Sequence, residues 1–251
     1  MTISAPFSFL GAGDIPLDIL ADDGSSTGLQ VKGDSPDFTF KTDADVKQQT
    51  KHGRDNYGQG GASASLPKPA TLAFTMNEVD AELFAAAMYG TSSALTQSSG
   101  TLTDQPVTTK ADRYVEIGKR MLSDVVVKNT AGTTTYVLGT DYLINPRLGL
   151  IMALSTGAIT AGMSVKISGS YAAINGTTIA AMTKSQVLAR VMVDGVEFSS
   201  RRDFIFDAPR VRLTVNGDIP VKGDNFAQVK FTGTMETPAG FDAPFVFDWL
   251  S

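Results

Sequence analysis

The sequence predicts a mainly β protein with a single helix, and three observations lead there. Gly and Pro are frequent, 24 and 11 of 251 residues, and Ser and Thr recur between short apolar runs, which is how a chain with many turns reads. Several runs alternate apolar with polar: in Gln228–Thr232, Val229 and Phe231 interleave with Gln228, Lys230 and Thr232, the pattern of a strand with one buried face. Only one stretch carries a helical period. With 42% hydrophobic and 19% charged residues the chain has the composition of a folded globule. No repeat of fixed period stands out, so residues 1–251 read as one domain.

Residues 1–30 read as an N-terminal arm, with isolated apolar residues (Phe7, Phe9, Ile15, Leu17, Ile19) before a turn at Asp22–Gly28. Phe38–Phe40 is a strand core. Residues 43–65, DADVKQQTKHGRDNYGQGGASAS, predict a long polar loop, a kind of segment that is usually functional or disordered. Its apolar content is too sparse to offset the entropy of ordering, so it is expected to be mobile in an isolated subunit. Ala70–Met76 is a strand, after which the period changes. Asn77 is a fitting N-cap, and Glu78, Asp80 and Glu82 occupy the first turn, where the helix dipole favours acids. Val79, Leu83, Ala86 and Ala87 form one stripe and Gly90 follows, so a helix is predicted over 78–89.

After Gly100 the chain is a series of strands: Arg113–Ile117, Asp124–Lys128, Thr134–Leu138, Tyr142–Ile144, Leu148–Ala153, Ser164–Tyr171 and Ile179–Met182. Gln186–Val193 and Glu197–Phe198 flank Asp194-Gly195, the favoured pair of a tight hairpin turn. Phe204–Phe206, Val211–Val215, Ala227–Thr234 and Phe245–Phe247 complete the set.

The signals of chemistry are weak throughout. The chain has no Cys, which removes disulfides, zinc thiolates and thiol nucleophiles. His52, the only histidine, lies in the polar loop with no nucleophile elbow to serve. Asp43-Ala44-Asp45 and Asp22-Asp23-Gly24 lack the alternating ligands and closing Glu of a calcium loop, and Gly11-Ala12-Gly13 lacks the third glycine of a dinucleotide fingerprint. A carboxylate pair for glycoside cleavage is made in space, and nothing in the sequence selects one. These readings point away from an enzyme and imply no cofactor. The net charge of −5 does not suit gripping a nucleic-acid backbone by counterion release. Arg201, Arg202, Arg210 and Arg212 form the one local basic cluster, read as a rim of salt bridges to a neighbouring acidic subunit. The first twenty residues lack the basic start of a signal peptide, and no apolar run approaches a membrane span. Synthesis in a cytoplasm without membrane anchoring is therefore expected.

Two stretches resemble the tail tube proteins of long-tailed, siphovirus-type bacteriophages. The first runs from Thr135-Tyr136-Val137-Leu138-Gly139-Thr140-Asp141-Tyr142 through Gly149-Leu150-Ile151 to Gly157-Ala158-Ile159 and Val165-Lys166-Ile167. The second joins Phe204–Leu213, with its Pro209-Arg210-Val211 start, to Asp224–Met235. The resemblance implies a β-sandwich or barrel flanked by a helix, assembled as hexameric rings stacked into the hollow tube through which DNA passes into the host without specific binding. It places the protein in the virion tail, after synthesis in the host bacterial cytoplasm. It implies as partners a tape measure protein, a tail terminator, baseplate or distal tail proteins and assembly chaperones. By that resemblance, the polar loop is the inter-ring clamp, with Asp43, Asp45, Lys47, Lys51, Arg54, Asp55 and Tyr57 as its contact residues. A carbohydrate- or receptor-binding β module of a virion or cell surface is the alternative, and it needs an exposed aromatic platform. An all-β glycan hydrolase comes third.

Overall fold

A computed structural model describes residues 9–224 and 226–250; Phe7 of the predicted arm lies outside them. The chain begins with strands β1 (Gly11–Asp14), β2 (Pro16–Ile19), β3 (Gln30–Val31), β4 (Asp37–Lys41), β5 (Ala44–Thr50), β6 (Gly60–Pro67) and β7 (Thr71–Met76), then helix α1 (Ala81–Ala87). Next come β8 (Thr91–Gln97), β9 (Gly100–Thr108), β10 (Tyr114–Glu116), β11 (Leu122–Asn129), β12 (Tyr142–Asn145), β13 (Leu150–Ala153) and β14 (Ser164–Tyr171). The chain ends with β15 (Ile174–Ala180), β16 (Val187–Glu197), β17 (Arg202–Val215), β18 (Val229–Met235) and β19 (Val246–Trp249). The protein is thus mainly β, with a single short helix among the described residues and several antiparallel sheets.

Where one domain is expected, the chain packs as two compact units, residues 1–92 with 179–251, and residues 93–178. The paired strands β8 and β15 carry the chain from one unit into the other and back. Each unit has its own core, a distinction that the spacing of apolar runs along the sequence does not carry.

The larger unit is built on the long hairpin β16–β17. β16 pairs with β1 along Asp194–Glu197 and with β2 along Ala189–Val191. β17 pairs with β19 along Phe204–Asp207 and with β18 along Val211–Val215, and the ladder continues through β7 to β4. Between the two halves of β17 the register shifts opposite Ala189/Val191. Pro209 sits at that irregularity, the position in a sheet where a residue without an N–H is tolerated. The sheet curls until Phe38 and Phe40 of β4 lie 5.1 and 5.3 Å from Phe206 of β17. Phe74, Phe206, Phe231, Leu17 and Met76 are fully buried inside.

Several expectations are corrected here. The first thirty residues are not simply an arm: β1 and β2 are strands of the main sheet, with Ile15 and Leu17 buried. Asp194-Gly195 is not a turn, because β16 runs straight through it. Gly195 has no side chain since the Phe204 ring lies over it, 2.3 Å from where a Cβ would stand. Phe204–Phe206 and Val211–Val215 are one strand, and Thr134–Leu138 is a turn-rich connection held by single bridges. The helix starts later than predicted. Its N-cap is Asp80, whose carboxylate accepts the Leu83 N–H at 2.7 Å, while Asn77 is bonded to Asp34 and Gln228. Val79 is therefore half-exposed and Leu83 is buried. The left-handed residue closing the helix is Tyr89 (φ 50°). Gly90 is small because Ala180 O would lie 2.5 Å from its Cβ.

The second unit places sheets β10-β13-β12 and β11-β14-β9 around Val127, Ile151, Ile159, Val165 and Ile167. In the Gly-x-Asp-Tyr stretch, Asp141 accepts the N–H groups of Val137 (2.8 Å) and Ala158 (2.9 Å), and these bonds hold its carboxyl below the usual range. Asp141 thus ties the turn at 137–141 to residues 157–158.

Candidate functional site

The predicted loop is a hairpin. β5 and β6 pair from Ala44↔Pro67 to Thr50↔Gly60, prolonging the β4–β7 ladder, which ends at Lys41↔Thr71. An antiparallel ribbon satisfies its backbone N–H and C=O groups without burying side chains, so a segment poor in apolar residues can still be regular. Among the described residues the two strands belong to no other sheet. Both faces are open: Val46 is 63% and Leu66 53% exposed. A two-stranded ribbon of this kind is marginally stable alone.

All seven predicted contact residues lie on this arm or at its root. Asp43 stands at the root, its carboxyl lowered by the N–H of Ala44 and by Lys41. Asp45 pairs with Lys47 at 2.7 Å on β5, and at the tip Arg54 lies 3.4 Å from Asp55. Lys51 and Tyr57 are also at the tip, where Tyr57 is 75% exposed and its ring centroid is 5.4 Å from that of His52.

The four arginines do not form one cluster. Arg201 and Arg202 stand at the turn between β16 and β17, whereas Arg210 and Arg212 lie roughly 25 Å further along β17 at ~3.3 Å per residue. Both of the latter engage Glu236: Arg212 Nη2 at 2.9 Å, and Arg210 Nε at 3.1 Å, an ionic contact without hydrogen-bond alignment.

A feature absent from the sequence reading is an acidic sheet face. Register places Asp14 opposite Asp194, Asp194 opposite Ile205, and Ile205 opposite Asp248, so three carboxylates share one cross-strand row. Asp203 stands beside them, with its carbonyl accepting the Leu250 N–H at 2.9 Å. All four acids are exposed, and none makes an ion pair among the described residues. Like charges directly opposite destabilise a sheet. The nearest balanced carboxylate on this face is Asp207, clamped by Arg190 at 3.0 and 2.6 Å. The pattern was legible in part, as polar residues alternating with buried ones along β17 and β19. Asp194 was hidden by its reading as a turn.

On the other side of these strands lies a groove of about 300 Å³, lined by Phe9, Gly11, Gly13, Phe38, Phe40, Phe204 and Phe247, with exposed Asp34 and Asp37 on its margin. Trp249 packs against Phe9, Phe204 and Phe247. A groove of about 490 Å³ near α1 is polar, and its Lys184 and Asp22 pair with each other at 2.9 Å. Among the described residues no three ligand-type side chains converge to hold a metal ion, and no helix is long and apolar enough to cross a membrane.

The molecule is thus a mainly antiparallel β protein with an exposed polar arm and an acidic sheet face. A family described as "Protein of unknown function UCP028589" matches residues 8–237, most of the chain, and the protein belongs to that family. No curated protein matches it.

Proposed function

We propose that the protein is a self-assembling structural subunit of a phage-type tail tube, forming hexameric rings that stack into a hollow conduit for DNA. The observation that carries this reading is the β5–β6 arm, a regular hairpin with both faces and both edges open. Such a ribbon gains stability from a neighbour, and a neighbour of the same kind extends the array. Head-to-tail contacts between identical chains produce rings when they close and filaments when they do not. The acidic face bearing Asp14, Asp194, Asp203 and Asp248 suits a lumen wall, since it repels a polyanion at short range and the arginine on it, Arg190, is taken up by Asp207. The virion location and the partners implied by the resemblance belong to this proposal too.

Negative-stain electron microscopy of the concentrated protein tests it, beside a variant in which residues 44–67 are replaced by a short Gly-Ser turn. The root strands pair at Lys41↔Thr71, so the replacement can close without strain. Rings or tubes from the intact chain, and none from the variant, are expected. Monodisperse small particles from the intact chain at every concentration and salt tried would overturn the proposal.

A further inference from the structure

The arm and the aromatic groove have complementary chemistry and do not meet within one chain. Among the described residues β5 and β6 pack chiefly on each other. The groove is open, with Phe9 56% and Phe40 44% exposed. We infer that this groove receives the arm tip of a second copy, with Tyr57 entering between the phenyl rings and Lys51 and Arg54 set against Asp34 and Asp37. This deepens the assembly reading of the arm and rests on it.

Charge selects the occupant. Lys51 makes no ion pair among the described residues, and Arg54 pairs only with its neighbour Asp55, both side chains more than nine-tenths exposed, a contact of little worth. On the groove side neither Asp37 nor Asp34 makes an ion pair among the described residues, and the Asp34 carboxylate accepts the Asn77 side-chain amide. Among the described residues the one aromatic more exposed than Tyr57 is Phe226, at 99%, between β17 and β18. Its connection carries Asp218 and Asp224 against the single cation Lys222, whereas the arm tip carries Lys51 and Arg54 against the single acid Asp55, so an acidic margin favours the arm. Size sets the strength of the contact. An aromatic side chain buries about 150–250 Å², far below the ~1,200 Å² of a stable pair, so the contact is weak singly and acts when repeated around an array.

The absence of Cys makes the test direct. Asp55→Cys, beside Tyr57, and Pro36→Cys, on the groove margin, keep every proposed contact; the two proteins are mixed under assembly conditions and treated with a short bismaleimide, each alone giving the background of like-with-like links. A second mixture pairs Ala227→Cys, beside Phe226, with Pro36→Cys. Both mixtures are imaged in parallel. A cross-linked dimer in the first mixture, and none in the second, is expected. A dimer only in the second makes Phe226 the occupant and overturns the inference. Tubes on the images without a dimer in the first mixture overturn it while leaving the tube reading intact. A dimer without rings or tubes supports the docking and removes the tube reading, and neither dimer nor tubes removes both. Independently, Tyr57→Ala should leave the monomer's melting unchanged and raise the concentration at which assembly begins about tenfold or more, the effect of truncating an interface aromatic.

Discussion

Individual residues carry the sharpest constraints. Glu197, at the end of β16, is fully buried and accepts the N–H groups of Ser199 at 2.6 Å and Ser200 at 2.7 Å, together with the Ser200 hydroxyl. Burial pushes its carboxyl up, but the Ser199 and Ser200 bonds outweigh burial and hold it at about 2. A carboxyl whose folded value lies below its unfolded one contributes stability above the unfolded value and loses it as pH falls toward the folded value. The loss therefore runs from about pH 4.5 down to about pH 2. Denaturant melts of Glu197→Gln should show lower stability than wild type at pH 7 and a smaller fall between pH 5 and pH 3. Parallel curves for the two proteins would show that Glu197 does not anchor the turn.

At the scale of elements, the helix and the arm gain regularity by different means. α1 is too short to be stable alone and is fixed by what surrounds it. Its N-cap Asp80 and first-turn Glu82 flank Lys32 at 2.9 and 2.6 Å, where burial lowers the lysine's pKa but the two carboxylates more than reverse it. Its buried face is Leu83, Ala86 and Ala87. Leu83→Ala should cost about 2–5 kcal/mol, whereas Val79→Ala, outside the helix and half-exposed, should stay within about 0.5 kcal/mol. Equal losses in urea melts would mean that the helix packs in another rotation. The arm was expected to be mobile in the isolated subunit, since burial cannot order it. The structure makes it a hydrogen-bonded ladder, and protection of its backbone amides against exchange in the monomer is the corresponding measurement.

For the whole molecule, two cores imply two cooperative units. Calorimetry should show unfolding that departs from a single two-state transition, with Ile151→Ala shifting one component and Phe206→Ala the other. One transition moved equally by both substitutions would mean that the units melt together. The net charge of −5 and the uncompensated acidic face also set the response to salt. Repulsion between subunits reaches about 10 Å at 0.1 M ionic strength, so raising salt should promote assembly in sedimentation velocity. Assembly that weakens with salt would instead point to the arm's cations as the dominant force.

The sequence by itself determined the mainly β class, the single helix with buried Leu83, and many strand cores, since alternation and helical period are local. It also marked the polar segment at 43–65 as unusual. Only the tertiary structure decided that this segment is a hairpin, because pairing depends on what lies opposite and not on burial. It alone divided the chain into two cores, ran β16 through Asp194-Gly195 beneath the Phe204 ring, and lined up Asp14, Asp194 and Asp248 in one row. Those three acids are far apart in the chain, and register between strands, a long-range property, is what makes them neighbours.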